Sequence, residues 1–154
     1  MSAFSIWFFL GLAAVCAQTA RASGPVVYLA VLSGDSERVS ACLPLETGMP
    51  FFFEFINSIY LAPVRETLVY RESEGISVIM VESPSAGVFE YYGLQSDSSG
   101  RVEMHRRVGD IRIRSHNYEN HTLTIGERTI RFKAIAENGQ LVIIRISKGA
   151  PCVP

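Results

Sequence analysis

Two polar side chains stand where apolar ones are expected. Residues 51 to 57 read Phe-Phe-Phe-Glu-Phe-Ile-Asn, so a strand there places Phe51, Phe53, Phe55 and Asn57 on one face. After a turn ending at Pro63, the next strand places Val64, Glu66, Leu68 and Tyr70 on one face. A carboxylate on an otherwise apolar face costs several kcal/mol unless its charge is removed or compensated. Glu66 must therefore be protonated, paired with Arg65 or a distant arginine, or supplied with donors such as Asn57 or Ser58. Asn57, Ser58 and Glu66 are the candidate binding residues. The plainer reading of the same side chains is a structural polar plug that sets the register of the hairpin.

Other groups offer weaker chemistry. His105, His116 and His121 are the chain's imidazoles, but their spacing completes no tetrahedral set with cysteine or a second close histidine, so no metal site and no cofactor are expected. The chain has no Gly-x-Ser-x-Gly elbow and no Ser-x-x-Lys, and its serine, histidine and aspartate residues lack the context of a nucleophile with an oriented base. An enzyme is not expected. Five arginines (101, 106, 107, 112 and 114) against Glu103 and Asp110 suggest a basic face on a two-strand ribbon, or equally a solvated edge kept apart by charge. The overall net charge of −1 offers no reason to expect a nucleic-acid partner. The aromatic residues at 51 to 55, 89, 91 and 92 suit either a core or the wall of an apolar pocket.

Residues 3 to 17 form an uncharged apolar run, followed by Gln-Thr-Ala-Arg-Ala, where Ala20 and Ala22 supply the small residues of a cleavage site. A signal peptide over residues 1–22, cleaved after Ala22, is expected, leaving residues 23–154 as a single domain in the periplasm or outside the cell. The run is shorter than a membrane span of about 20 residues, so no span is expected once the leader is removed. Cleavage takes away Arg21 alone among charged side chains and moves the net charge from −1 to −2. It leaves Cys42 and Cys152 as the two cysteines, and in an exported chain they are expected to pair. The alternative is two independent thiols.

The elements that must position these groups are strands. Short apolar or alternating runs recur between turn residues, and no stretch of ten residues keeps helical spacing. The pattern predicts about eleven short, mainly antiparallel strands, near residues 26–32, 37–45, 51–57, 64–71, 76–82, 87–94, 101–107, 110–115, 121–125, 128–135 and 140–147. An all-β fold follows, either a small barrel or a two-sheet sandwich. Residues 141–144 are apolar on both faces, which marks a central strand. Asn138-Gly139 is the strongest hairpin signal.

The segment Phe55-Ile56-Asn57-Ser58-Ile59 followed by Pro63-Val64-Arg65-Glu66 resembles the bacterial domain-of-unknown-function family 1850. Members typically carry an aromatic-x-His-Ser-Val segment and then Pro-Val-x-Glu, and the resemblance runs from about Val26 to Ser147. Asn57 stands where the family usually has His, and an amide cannot exchange a proton near neutral pH. Ser85-Ala86-Gly87 stands where a Gly-Ala-Gly element is usual. The resemblance implies a small exported bacterial protein without established activity, found in company with TRAP-type (TAXI) solute transporters, with Ser58, Pro63, Val64 and Glu66 carried over. The expectation is an exported, noncatalytic β-domain accessory to such a transporter. The alternatives are a small-ligand-binding β-barrel with an aromatic-lined pocket, and an uncharacterised enzyme.

Overall fold

The computed structural model describes residues 27–95, 99–149 and 152. The expected leader lies outside the described residues. Among the described residues ten strands run in chain order as β1 (Val27–Ser33), β2 (Arg38–Leu45), β3 (Pro50–Asn57), β4 (Ala62–Arg71), β5 (Gly75–Glu82), β6 (Arg101–Arg107), β7 (Ile111–Arg114), β8 (Thr122–Ile125), β9 (Arg128–Arg131) and β10 (Leu141–Lys148). A short helix, α1 (Ala86–Tyr91), and a 3-10 turn (Phe132–Ala134) interrupt them. Among the described residues no helix is long and apolar enough to cross a membrane.

The strands form two antiparallel sheets, one ordered β2-β1-β10-β7 and the other β6-β5-β4-β3-β8-β9. Neither closes on itself, so of the two expected architectures the sandwich is the one adopted. Alternation explains the packing. Leu29 and Val31 of β1, Val142 and Ile144 of β10, and Phe51, Phe53, Val64, Leu68 and Tyr70 of β3 and β4 all bury into one core between the sheets. As the doubly apolar run at 141–144 requires, β10 is central, lying between β1 and β7.

Three expectations are corrected. Residues 87–94 are not a strand but α1 and its C-terminal cap. The Leu94 amide donates to the Phe89 carbonyl and the Gly93 amide to the Glu90 carbonyl, with Gly93 at φ 71. This is the glycine-capped helix end that satisfies the last carbonyls, and it lets one turn of helix bury Val88 and Phe89. Asn138-Gly139 does not close a hairpin between β9 and β10, which belong to different sheets. It carries the chain across the sandwich, and Gly139, at φ 82, donates its amide to the Ser115 carbonyl just beyond β7. Finally, β6 and β7 do not pair as a ribbon. Each is an edge strand of its own sheet, so their exposed arginines lie along open edges.

Cys42 and Cys152 form a disulfide with Cα atoms 5.6 Å apart. Cys42 lies opposite Ala30 in the β1–β2 register. Ala30, Leu32 and Ile143 form a small apolar cluster separate from the main core, and Cys152 packs on it. The bridge thus holds the C-terminal end against the outer face of the sheet that contains β10.

Candidate functional site

Glu66 sits in the middle of the larger sheet, opposite Phe53 on one side and Val81 on the other. It is 9% exposed. Its partner comes from an element the sequence pattern misses: Tyr92, at the end of α1, donates its hydroxyl to Glu66 Oε1 at 2.5 Å. Burial pushes the Glu66 carboxyl above the ordinary carboxylate range, while the Tyr92 hydrogen bond and the Arg106 charge act in the opposite direction. Burial first, and Glu66 second, push the Tyr92 phenol upward, so it stays a donor.

The pair lies in a cleft of about 390 Å³ lined by residues of both sheets. Phe53 and Phe55 of β3 stack with ring centroids 4.8 Å apart on one wall, and Ile113 of β7 lines the cleft from the opposite sheet. Arg106 follows Val102 and Met104 on the alternation of β6, and its guanidinium lies 5.1 Å from the centroid of the Tyr92 ring. The loop between β7 and β8 adds His116, Tyr118 and His121. His121 is 4% exposed, its ring set edge-on to Phe132 at 4.9 Å. Its Nδ1 accepts the His116 backbone amide at 3.3 Å, which puts the ring proton on Nε2. Burial, and then the neighbouring His116, lower its pKa to about 4.

The expected site residues meet here with different duties. Asn57 is buried, and its Oδ1 accepts the backbone amides of Ile59 at 3.0 Å and Tyr60 at 3.1 Å. Its carbonyl caps the β3–β4 turn rather than serving Glu66. Ser58 is exposed on the cleft border. Arg65 is turned away from Glu66, lying 3.9 Å from Glu54 and over the Phe52 ring at 4.2 Å. The turn itself leaves Ile59 and Leu61 exposed beside the cleft, with Leu61 at φ 48, and packs the Tyr60 ring where a Cβ on Gly87 would come within 2.3 Å. The hairpin tip and α1 are therefore fitted to each other.

His116 and His121 come together, with ring centroids 5.8 Å apart, whereas His105 is taken up by Glu74 at 3.0 Å. Among the described residues no three metal-ligating side chains converge.

Tyr92 and Arg106 are the functional candidates that sequence reasoning missed. Gly93 marks the helix end that delivers Tyr92, and the period-two pattern of 102, 104 and 106 places Arg106 on the same face of β6 as the half-buried Val102 and Met104, with its own side chain exposed at the edge. Tyr92→Phe is expected to leave Glu66 without its donor and to cost about 1–2 kcal/mol at pH 7. Glu66→Gln keeps an acceptor for Tyr92 without a charge, and is expected to match or exceed wild-type stability. Urea unfolding of both variants checks this, and a Tyr92→Phe variant as stable as wild type would mean that the hydrogen bond contributes nothing.

No family model, curated protein or solved structure matches the chain, so the reading of this cleft rests on its own geometry.

Proposed function

We propose that the chain is an exported, noncatalytic β-sandwich that holds a small organic ligand in the cleft between its sheets. The observation that carries this reading is the buried Glu66–Tyr92 pair at a cleft otherwise walled by Phe53, Phe55 and Ile113. A carboxyl group in an apolar wall costs stability, and a fold that needed only core would do better with leucine there. With Oε1 taken by Tyr92, Oε2 is the atom offered to a ligand. A few polar groups among aromatic walls, in a volume of this size, make up the ordinary constitution of a small-molecule site. His121 serves as part of the wall, held neutral and already accepting a backbone amide.

Export is supported by the leader-like segment over residues 1–22 and by the Cys42–Cys152 bridge, a bond that persists in oxidising compartments. The resemblance around Asn57-Ser58 and Pro63-Val64-Arg65-Glu66 supports a place beside a TRAP-type (TAXI) solute transporter. A ligand-holding domain in that company would present or sense the transported class of solute.

Thermal denaturation of the protein across a library of organic acids, amines, neutral aromatics and lipids tests the binding reading. A ligand at 100 times its Kd stabilises by about 2.7 kcal/mol, well within detection. Stabilisation by at least one chemical class, lost in Phe55→Ala, is expected. No stabilisation anywhere would overturn the reading. Recovery of no transporter component from native membranes, with uptake unchanged on deletion, would overturn the transporter context alone.

A further inference from the structure

The charge balance of the cleft points to the kind of ligand it takes, given the binding reading above. Glu66 is the one acidic side chain among the described residues lining it, and that carboxyl is already engaged by Tyr92. Arg106 brings a positive charge that lies over the face of the Tyr92 ring and acts on the neighbouring Glu66 carboxyl. Arg65 faces Glu54, Arg71 faces Glu74 and Arg145 is held between Glu37 and Asp110, whereas on β6 itself Arg101 meets the Met80 sulfur and Arg107 the Glu74 carbonyl. Arg114 also borders the cleft, but its guanidinium donates to the Gly139 carbonyl.

Arg106 lines the cleft with its guanidinium exposed and only the buried Glu66 as an acidic neighbour, so it stays open to an anion arriving from solvent, with which it can form a charge-assisted hydrogen bond. An apolar body attached to that anion would lie along the Phe53 and Phe55 rings. The carboxyl of Glu66 adds a donor when it carries its proton, which burial favours. A cationic ligand would use the same aromatic rings, but would have to approach Arg106.

We propose that the cleft selects small organic acids in their carboxylate form, with an aryl or alkyl body, the carboxylate meeting Arg106 and the body lying against Phe53 and Phe55.

The test compares three probes of one shape and different charge: 3-phenylpropionate, 3-phenylpropionamide and 3-phenylpropylamine. Each is titrated calorimetrically at one pH into the protein, alongside a series of alkyl carboxylates of four to ten carbons. Carboxylates are expected to bind about tenfold or more tighter than the amide, with the ammonium weakest. Arg106→Gln is expected to remove that preference while the amide binds as before, and Arg106→Lys to restore part of it. If the amide or the ammonium binds as tightly as the carboxylate, or if Arg106→Gln leaves the preference intact, the anion assignment is wrong and the binding cleft stands. If no carboxylate binds but a neutral or cationic library member does, the same conclusion holds. If nothing binds, both the assignment and the binding reading fail together.

Discussion

Replacing Cys42 and Cys152 together by serine is expected to lower the unfolding free energy by about 4 kcal/mol, with a fall in Tm on the order of 10 °C. The bridge joins residues 110 apart in sequence, and closing so long a loop removes a large share of the freedom of the unfolded chain. The bridge also acts in the folded state, because it lays Cys152 over Ala30, Leu32 and Ile143 on the outer face of β1 and β10. Without it those side chains lose their cover. Urea unfolding of the double variant, set beside wild type with and without reductant, separates the two contributions. If loop closure dominates, the reduced wild type and the variant coincide and both show a larger m-value, since an unbridged denatured chain exposes more surface. A loss below about 1 kcal/mol would mean that the tail is held by other contacts and the bridge is incidental.

That pairing was legible because a chain expected to be exported, and left with Cys42 and Cys152 once its expected leader is removed, has few ways to use them. Most strand positions were legible for a comparable reason. Alternation such as Ile111 and Ile113 against Arg112 and Arg114, or Phe51, Phe53 and Phe55 in β3, survives folding because one face must be buried. Three features broke that logic. In β5 the register shifts at Ile79 against both β4 and β6, so Ile76, Val78 and Val81 reach the core although strict alternation would not allow it. Residues 87–94 are aromatic and β-branched enough to read as a strand, yet Gly93 closes a helix whose burial of Val88 and Phe89 outweighs local propensity. Asn138-Gly139 specifies a turn, but no turn signal says which sheet the following strand will join.

The candidate site shows the same division. That Glu66 needed a partner followed from the alternation of β4, but the partner lies 26 residues away at the end of that unforeseen helix. The nearby donors Asn57 and Ser58 were the reasonable choices on sequence, and Asn57 is instead consumed by the turn it begins. A polar residue on a buried face announces a demand. What meets the demand depends on tertiary contacts that periodicity does not encode.

The buried titratable groups of the cleft should make the stability of the domain bend with pH in two directions, and the variants can separate them. His121 has a pKa of about 4 in the folded protein against about 6.5 for a free histidine. Above pH 6.5 neither state is protonated and the full stability is present. As pH falls from 6.5 towards 4 the unfolded chain binds a proton that the folded chain refuses, so stability is lost, by about 3 kcal/mol at most. Glu66 has the opposite sign. Its folded pKa lies above the unfolded value of 4.5, so its contribution is fully present below pH 4.5 and is lost as pH rises and the unfolded chain ionises first. Between about pH 4.5 and 6.5 the two oppose each other, and the wild-type profile should be flatter there than either variant's. His121→Gln should remove the histidine contribution and unmask a decline with rising pH due to Glu66, whereas Glu66→Gln should leave a curve that rises steadily from pH 4 to 6.5. Urea midpoints at half-unit intervals measure both. If His121→Gln leaves the acid-side slope unchanged, the imidazole is protonated in the folded state after all, and the hydrogen bond from the His116 amide to its Nδ1 cannot exist at those pH values.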